Sequence, residues 1–379
     1  MFALEALRAK HGDSLLLHYG KTKPQMVVID GGPAGVFNDA LRPRLDEIRA
    51  ERKIADTKPL PIELMMVSHL DADHITGVID LVRRMREARD AGRPVPWQIA
   101  RFWHNTFDDI LGNDELKPAG AAALTASFGD SLGFEAGSIL ASVGQGRDLR
   151  DLLKFFQLDG NAPFEGPVMF DPDQKAVKLD NLQLTVVGPD RPNLAALQKD
   201  WNEKVKALLA KKDKASRAEI ASFVDRSVYN LSSIVVFAKA DNKTALLTGD
   251  ARGDFTLSAL EGAGLLKKDK PLQLDLLKLP HHGSVRDVAP VFFERLQAKH
   301  YVISADGKHS NPDIETLELI SKSRKDDDFT SHIANDPAEF ADKAVGKDVA
   351  KFFATDRKKR KYNVVTREKG ALSIRVDLA

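Results

Sequence analysis

Cysteine is absent from the 379-residue chain. Its absence excludes disulfides and thiolate metal ligands, so any bound metal must be held by imidazole nitrogen, carboxylate or backbone oxygen. Long apolar runs are absent as well: none approaches the roughly 20 residues that a membrane span needs, and residues 1–10 lack the apolar core of a signal peptide. We therefore expect a cytoplasmic protein with no membrane association.

An excess of charge of either sign is also missing, because 56 basic side chains are balanced by 55 acidic ones, which gives a formal net charge of +1. The chain therefore has no global attraction to polyanions, and any contact with nucleic acid would depend on local basic patches. What the chain does have is a hydrophobic content of 43%, which at this length can fill a large core.

The spacing of apolar residues predicts a mixed α/β fold. Short apolar or alternating runs between turn residues are typical of strands, and longer runs with apolar residues three or four apart are typical of helices. Strands are predicted at 14–19, 25–29, 62–67, 182–187, 234–238, 244–248, 274–279, 301–304 and 371–378, and helices at 39–52 and 78–91.

Two stretches, 108–175 and 191–227, lack the strand pattern and are predicted to be largely helical. No repeat or low-complexity tract separates them from the flanking strands. We therefore predict a single domain over residues 1–379, with both stretches embedded in it as helical elaborations.

Metal-binding side chains directly follow three separate apolar runs. Such side chains can converge at one edge of a sheet, on a rigid scaffold. For the first cluster alone, the alternative is a polar surface loop in which Asp73 starts the next helix; three clusters together favour a site for two neighbouring cations. The residues are His69, Asp71, Asp73 and His74 after residue 67, Asp250 after 245–249, and His281 and His282 after 276–280.

These motifs resemble those of the metallo-β-lactamase superfamily. The segment from His69 to His74 is similar to its His-x-His/Asp-x-Asp-His signature. The aspartate at position 71, the Leu-Thr-Gly-Asp sequence ending at Asp250 and the Leu-Lys-Leu-Pro-His-His-Gly-Ser sequence ending at Ser284 resemble the lactamase-like domain of ComEC-type competence proteins. The resemblance implies an α/β fold, a four-layer αββα sandwich, although this chain, unlike ComEC, has no membrane segments.

The resemblance also implies a centre of two divalent metal ions. One histidine of the third cluster would be a ligand; His282 matches the family position because it directly precedes Gly283, and His281 is the alternative. The implied ligands are His69 and Asp71 for one ion, Asp73, His74 and that histidine for the other, and Asp250 as the bridge between them.

The chain departs from the wider superfamily at the first ion. Many members supply a further histidine there, but residues 229–233 contain none. The alternatives for this position are Asn230, a serine hydroxyl, a water molecule and His104. Asn230 is also a candidate for contacting the substrate. A ligand set rich in oxygen and poor in imidazole favours harder ions, so Mn²⁺ is considered beside Zn²⁺.

The implied activity is metal-dependent hydrolysis. Two divalent ions about 3.5–4 Å apart lower the pKa of a shared water and neutralise the oxyanion that forms, and Asp73 and Asp250 are expected to position that water. The ComEC-like pattern favours a phosphodiesterase or nuclease acting on nucleic acid or a nucleotide. The alternatives are a hydrolase of lactones, lactams or thioesters on the same metal core, and a non-catalytic protein that binds a nucleotide or a partner. The sequence leaves open whether the protein forms a homodimer or binds a partner protein.

Further polar residues are candidates for contacts near the metals. His309 resembles a family histidine after a late strand, and it is expected to bind a phosphate oxygen or to protonate the leaving group. Lys278 is a candidate for pairing with a phosphate or with a ligand carboxylate, and Ser284 for donating to substrate or capping the next helix. Asp13 and Asp30 match family turn positions and are predicted to be structural, with Asp30 within reach of a ligand.

Overall fold

The computed structural model describes residues 1–105, 145–146, 148–192, 195, 232–324 and 328–379. Over those ranges the protein is a mixed α/β structure with two large sheets and one small sheet. No helix within them combines the length and the apolarity needed to cross a bilayer.

The first large sheet contains β1 (Phe2–Leu7), β2 (Leu15–Tyr19), β3 (Gln25–Ile29), β5 (Leu64–Met66), β7 (Phe102–Trp103) and β16 (Ser373–Asp377). Their order across the sheet is β16-β1-β2-β3-β5-β7. The pairs from β16 to β3 are antiparallel, and β3, β5 and β7 are parallel. The small parallel sheet is formed by β4 (Leu60–Ile62) and β6 (Trp97–Ile99).

The second large sheet contains β8 (Val177–Leu179), β9 (Leu182–Gly188), β10 (Val235–Ala240), β11 (Lys243–Leu247), β12 (Leu272–Lys278), β13 (Leu296–Ile303), β14 (Thr330–Ile333) and β15 (Asn363–Thr366). Its strands follow one another in chain order across the sheet. The pairs from β8 to β11 are antiparallel, and those from β11 to β15 are parallel.

Helices connect the parallel strands, as such connections require. They are α1 (Arg42–Glu51), α2 (Ala72–Asp90), α3 (Gly253–Gly262), α4 (Pro290–Arg295), α5 (Ile314–Ser323) and α6 (Lys343–Asp356). In α2 the residues Ile75, Val78, Ile79 and Val82 are buried, which is the spacing of one helix face.

Three apolar clusters hold these elements together. One joins the first sheet to α1 and α2, with Val28 and Ile79 among its members. A second contains residues of both large sheets, such as Leu17 and Val236, so the two sheets pack face to face. The third joins the opposite face of the second sheet to the helices after β11, with Phe292 among its members. Successive strand residues alternate between clusters because strand side chains point alternately to the two faces.

The site lies where parallel strands from both sheets end. Asp30 follows β3 and Ser68 lies two residues after β5, while Asp250 follows β11 and Pro280 follows β12. The backbone N–H of Ile234, from the second sheet, donates to the carbonyl of Ser68 at 2.8 Å. This bond ties the two strand-end regions together.

The predicted helical elaborations fall largely outside the described residues. Of the stretch 108–175, residues 108–144 and 147 are not described, and 148–156 form a helix whose Leu149 and Leu153 join the cluster beneath α2. Of the stretch 191–227, only 191, 192 and 195 are described. The single-domain arrangement stays a prediction.

Candidate metal centre

The first motif forms the turn between β5 and α2. Asp71 has an extended backbone, with φ −62° and ψ 143°, and directly precedes the helix, so Asp73 and His74 lie in its first turn. His69 and His74 are buried, whereas the carboxylates of Asp71 and Asp73 are 25% and 24% exposed. The motif therefore presents buried imidazoles inward and two carboxylates at the opening of the site.

Asp30 fixes the orientation of two imidazoles. Its carboxylate accepts a hydrogen bond from Nδ1 of His74 at 2.9 Å and another from the hydroxyl of Ser68 at 2.6 Å. The same hydroxyl lies 3.0 Å from Nδ1 of His69, which donates to it. Each ring therefore carries its proton on Nδ1, and Nε2 of each is left as an electron-pair donor that faces the centre.

The turn that carries Asp30 packs directly on α2. A Cβ atom at Gly77 would lie 2.0 Å from the carbonyl oxygen of Gly31. Only a residue without a side chain allows this approach. The close contact explains the glycine at position 77, and a Cβ atom at Gly31 would likewise lie 2.3 Å from the backbone nitrogen of Val78. The packing of this turn on the helix holds the carboxylate of Asp30 beside the first turn.

Asp250 lies at the convergence of the three motifs. Its backbone N–H donates to the hydroxyl of Ser233 at 3.2 Å. Its Oδ2 atom is surrounded by four imidazoles from two separate motifs. The distances from Oδ2 to Nε2 are 3.7 Å for His69, 3.5 Å for His74, 3.8 Å for His281 and 3.4 Å for His282.

His281 and His282 both face this carboxylate because of an unusual backbone. Their φ angles are 45° and 55°, in the left-handed region that non-glycine residues seldom adopt. Nδ1 of His282 donates to the carbonyl of Ser304 at 2.9 Å, and Nδ1 of His281 bonds to Asp287. As with His69 and His74, the Nε2 atoms are left to face the centre.

The nitrogen and oxygen atoms that face the centre are separated by similar distances. Nε2 of His74 lies 3.3 Å from Nε2 of His282, which in turn lies 3.5 Å from Oδ2 of Asp73. Two ligand atoms that are each about 2.1 Å from one tetrahedral ion are about 3.4 Å apart. Lone pairs at this separation, with no proton between them, fit shared coordination better than direct hydrogen bonding.

Four groups of side chains among the described residues have candidate donor atoms within 4.8 Å of one another. Two of them, His69 with His74 and Asp250, and Asp73 with His74 and His282, use the Nε2 atoms that face the centre. The other two contain Asp13, whose carboxylate pairs with Lys278. Buried polar atoms without a hydrogen-bond partner among the described residues support the same assignment. Among these atoms are Nε2 of His69, Oδ1 of Asp71 and Oδ1 of Asp250. The residues present therefore fit a metal centre.

The charge of the centre also fits divalent cations. With neutral imidazoles, six carboxylates contact one of the four histidines, and one ammonium, that of Lys278, is buried among them. The formal charge is then minus five, most of which two divalent cations would neutralise. The carboxylates are those of Asp13, Asp30, Asp71, Asp73, Asp250 and Asp287.

In the metal-free protein, protons bound to the histidines neutralise part of this negative charge. Burial lowers the pKa of His74, but the carboxylates of Asp250, Asp73 and Asp30 outweigh it and raise the pKa well above 6.5. Asp250 and Asp13 do the same for the pKa of His282. Burial raises the pKa of Asp250, but the surrounding imidazoles outweigh it and hold that pKa well below 3.8.

We expect the stability of the metal-free protein to decrease from pH 6 to pH 8.5. A histidine whose pKa is raised on folding stabilises the protein below the unfolded-state pKa, near 6.5, and this contribution is lost as the pH rises through the folded-state value. The lowered pKa of Asp250 acts oppositely, because its contribution is lost as the pH falls below 3.8. Urea unfolding in EDTA at both pH values measures the change.

Metal should reverse this dependence, because cations replace the protons and bind better when the histidines are neutral. In saturating Mn²⁺ the free energy of unfolding is expected to be at least as large at pH 8.5 as at pH 6. A metal-free protein that gains stability over this range would contradict the proton-for-metal exchange.

Lys278 is fully buried, and its ammonium pairs with Asp13. It also donates to the carbonyl of Gly249 at 3.3 Å. The second oxygen of Asp13 lies 3.5 Å from Nδ1 of His282. This position favours the pairing of Lys278 with a carboxylate over a direct contact with substrate, and it places Asp13 behind a ligand histidine.

The remaining sequence candidates lie around the centre. Ser284 is buried and accepts a hydrogen bond from the backbone of Arg286 at 3.4 Å, which is the capping alternative. His309 is exposed and lies edge-on to His11, with ring centroids 6.0 Å apart. Asn230 falls outside the described residues. Among the described ligand groups, none includes His104, whose backbone bonds to Asn161.

Sequence reasoning missed the partner of His281. Asp287 has no motif of its own, and it approaches the histidine only because a short turn follows Gly283. The contact of Ser304 with His282 could not be predicted from the sequence either, because it is made by the backbone carbonyl of Ser304 and not by its side chain. Positive φ angles at both histidines were not readable from the sequence either.

Asp30→Asn is expected to weaken metal binding about 10- to 100-fold, the usual effect of replacing a group that orients a ligand. An amide can turn its NH₂ towards Nδ1 of His74, which would move the ring proton to Nε2 and block the donor atom. Metal titration with a competing chelator measures the affinity. Asp39→Asn, an exposed aspartate near the same turn, is the matched control and should bind metal normally.

No protein-family model matches the chain, and no curated protein matches it. Among solved structures the chain is similar to a mutant of CmlA beta-hydroxylase, at a TM-score of 0.37 and 10% identity, over 100% of this chain and 54% of that one. The chain therefore spans about half the length of that structure. A similarity of this size assigns no activity.

Proposed function

We propose that the protein is a metal-dependent hydrolase of the metallo-β-lactamase fold, with a centre for two divalent ions. The observation that carries the proposal is the position of Asp250, whose carboxylate lies 3.4 to 3.8 Å from the Nε2 atoms of four histidines. A carboxylate in this position can bridge two cations. The motifs that resemble the superfamily are the segments that converge there.

The packing supports a four-layer αββα arrangement for this proposal. The second apolar cluster takes residues from both large sheets, and the first and third clusters pack helices on their outer faces. Ligands from the ends of β5, β11 and β12 meet along one edge of this arrangement.

We assign His74, His282, Asp73 and Asp250 to one ion, and His69, Asp71 and Asp250 to the other. His281 is the proposed further ligand of the second group, because its Nε2 lies 3.8 Å from the bridging carboxylate. It would take the place of the histidine that residues 229–233 lack. His281 is 29% exposed, so this side of the centre is also open to water.

The chemistry follows from this arrangement. A bound pair of divalent ions would lower the pKa of a water molecule and neutralise negative charge that develops on the reacting group. The partly exposed carboxylates of Asp71 and Asp73 define the side from which substrate enters. Asp73 and Asp250 would accept hydrogen bonds from the attacking water and orient it. Asp30, Ser304 and Asp287 keep the imidazole protons on Nδ1, away from the reaction.

We propose phosphodiesters, in nucleic acid or a nucleotide, as the substrate class. The proposal draws on the ComEC-like motif sequence, whose Asp71 and His281-His282 pair lie in the site. Two cations can stabilise both the attacking and the leaving oxygen of a phosphodiester. Hydrolysis of a lactone, lactam or thioester on the same metals is the competing possibility that the experiment must separate.

The experiment measures hydrolysis by metal-loaded protein of bis-p-nitrophenyl phosphate, single- and double-stranded DNA, RNA and a chromogenic lactam. We expect phosphodiester turnover that needs Mn²⁺ or Zn²⁺ and is lost in Asp73→Ala and Asp250→Ala. Asp254→Ala, an exposed aspartate of α3, is the control that should keep full activity. Lactam turnover with no hydrolysis of any phosphodiester would overturn the substrate assignment.

A further inference from the structure

Basic side chains are concentrated in α6 and in the turn that follows it. Residues 343–361 contain eight basic and two acidic side chains, a formal charge of +6, although the whole chain carries only +1. The rest of the chain is therefore net negative, and positive charge is localised here. We call six exposed members of this stretch the α6 basic surface; they are Lys347, Lys351, Arg357, Lys358, Lys359 and Lys361.

Ion pairs compensate little of this charge. Among the described residues, the eight basic side chains of 343–361 form one ion pair, that of Arg360 with Asp356 at 3.6 Å. Lys343 is exposed as well, but it donates to the carbonyl of Ala338 at 3.0 Å. For this reason neither Arg360 nor Lys343 is counted in the α6 basic surface.

Two unpaired acids lie close to the surface. Asp348 is exposed within α6, and Asp328 lines the same groove as Arg357, Lys358 and Lys361. Neither carboxylate forms an ion pair with a described residue. Even if both are counted against the six basic side chains, a formal charge of +4 is left on this side of the molecule.

The turn that carries most of the charge is firmly anchored. The backbone N–H of Arg360 donates to the carbonyl of Asp356 at 3.1 Å, and its side chain donates to the carbonyl of Ser321 at 3.1 Å. The buried ring of Tyr362 stacks on Phe329, with centroids 4.6 Å apart. The turn is therefore fixed by Arg360 and Tyr362, while the basic residues next to them stay in solvent.

The helix dipole explains only part of the surface. Cations stabilise the last turn of a helix, which accounts for Arg357 and the lysines that follow it. Lys347 and Lys351 lie nine and five residues before the end of α6, beyond the reach of this effect. They are also four residues apart on one helix, a spacing at which like charges repel. A ligand of opposite charge is a better explanation than stability.

The α6 basic surface and the metal centre lie towards opposite ends of the parallel strands. Residues 357–361 lead into the start of β15, whereas the metal ligands follow the ends of β11 and β12. β15 has four residues and β12 has seven, which at about 3.3 Å per residue is a separation of roughly 13–23 Å. A single nucleotide cannot contact both places, whereas a polymer can.

The composition of the surface favours nucleic acid over a protein or a membrane. Among the described residues, the exposed large apolar side chains are Phe155, Val291 and Val365, all outside 343–361. Protein interfaces use apolar or aromatic anchors and are poor in lysine, and helices that lie on membranes insert apolar side chains. Positive charge alone, spread along a helix and a turn, fits the repeated phosphates of nucleic acid.

We propose that the α6 basic surface binds the phosphate backbone of a nucleic acid whose reacting phosphodiester lies at the metal centre. This inference rests on the proposed phosphodiesterase function and narrows its substrate from nucleotides to polymers. Contacts to phosphates carry no sequence information, so the surface binds without preference for bases. It holds the substrate and takes no part in the chemical step.

The test measures binding of full-length, manganese-loaded protein to double-stranded DNA by fluorescence anisotropy over a range of salt concentrations. The DNA has about 30 base pairs, roughly 100 Å in length, and a phosphorothioate backbone that keeps the charge and resists hydrolysis. The triple variant Lys358→Ala, Lys359→Ala and Lys361→Ala is expected to bind on the order of 10- to 100-fold more weakly. The slope of log affinity against log salt should become shallower by about 2–3, because each phosphate contact contributes about 0.9.

Two further triple variants control for charge and for folding. Arg83→Ala, Arg84→Ala and Arg86→Ala together remove the same charge from exposed positions of α2, and DNA binding should be normal. Replacing the three lysines of the test variant by arginine keeps the charge and should keep the affinity. Because the lysines form no ion pairs, their replacement by alanine should not lower the free energy of unfolding. Loss of DNA binding together with stability would assign them a structural role and overturn the proposal.

Turnover measurements connect the surface with the metal centre. With DNA that has a normal phosphodiester backbone, the lysine-to-alanine variant should show a raised KM, the sign of lost substrate binding. With bis-p-nitrophenyl phosphate, KM and kcat should both be unchanged, because this small ester cannot reach the α6 basic surface from the metal centre.

Unchanged DNA affinity and salt dependence in the lysine-to-alanine variant would overturn the surface, even if phosphodiesters are hydrolysed. An equal loss in the α2 control would overturn it too, because binding would then depend on net charge and not on position. Tighter binding of phosphatidylserine vesicles or polyglutamate than of DNA, through the same lysines, would overturn the assignment to nucleic acid. If DNA binds through these lysines but no phosphodiester is hydrolysed, the proposed reaction fails and the surface stands.

Discussion

Asp250→Asn is expected to reduce metal-dependent hydrolysis by on the order of a thousandfold or more, and metal content from two ions to fewer than one. Each metal supplies several kcal/mol of charge stabilisation in the transition state, and 1.4 kcal/mol corresponds to a factor of ten. A neutral amide cannot bridge two cations, and it leaves four imidazoles without their common carboxylate. Elemental analysis and turnover of bis-p-nitrophenyl phosphate measure the two effects.

Asp254→Asn is the matched control for this variant. Its carboxylate is exposed, lies four residues further along the chain and pairs with Arg252. The same chemical change there should alter neither metal content nor turnover. An Asp250→Asn protein that keeps two ions would show that the carboxylate is no ligand, and the proposed centre would have to be abandoned.

Lys278→Met is expected to lower the free energy of unfolding by about 3–5 kcal/mol, the usual cost of leaving a buried charge without its partner. Lys278 and Asp13 are both buried, and the variant leaves the carboxylate of Asp13 with His282 as its nearest cationic partner. Burial lowers the pKa of Lys278, but Asp13 and Asp250 outweigh it and raise the pKa, so the pair is ionic at neutral pH. Urea unfolding in EDTA gives the value without a contribution from metal.

Two further variants identify the cause of the loss. The double variant Asp13→Leu with Lys278→Met removes both charges and should recover much of the stability, because apolar replacement of a buried pair is often neutral. Lys243→Met breaks a partly exposed pair with Asp275 and should cost no more than about 1 kcal/mol. If the double variant is as unstable as Lys278→Met, packing and not charge explains the effect.

Apolar patterning was sufficient to predict much of the fold, because most strands are bounded by turn residues. The predicted strand at 25–29 coincides with β3, and the one at 182–187 ends one residue before β9 does. The strand predicted at 62–67 is in fact two short strands. They separate at Glu63, because β4 pairs with β6 in the small sheet while β5 joins the large one.

The first strand was not predicted because its pattern neither alternates nor is wholly apolar. All six residues of β1 are buried, including Glu5. The carboxylate of Glu5 is accommodated by His18 and Arg44, which lie 13 and 39 positions away. Such distant compensation leaves no local signal. The sequence alone therefore does not distinguish the buried Glu5 from an exposed glutamate.

The helix after the first motif begins earlier than its apolar spacing indicates. The sequence predicts a helix from residue 78, but α2 starts at Ala72 and carries Asp73 and His74 in its first turn. Polar ligands hide the start of the helix because they interrupt its apolar face. The sequence could predict the convergence of the three motifs, whereas the orienting contacts of Asp30 and Asp287 depend on backbone turns that only the structure reveals.

The pairing of β16 with β1 sets the order in which the site can mature. The hydroxyl of Ser373 donates to Glu5 across 368 positions of sequence, and β1 leads directly into the loop of His11 and Asp13. During synthesis β1 would therefore remain an unpaired edge on one side until β16 has emerged, and such edges are prone to aggregation. We expect the loop of His11 and Asp13, and with it the support of the metal centre, to reach its final position only when β16 docks on β1.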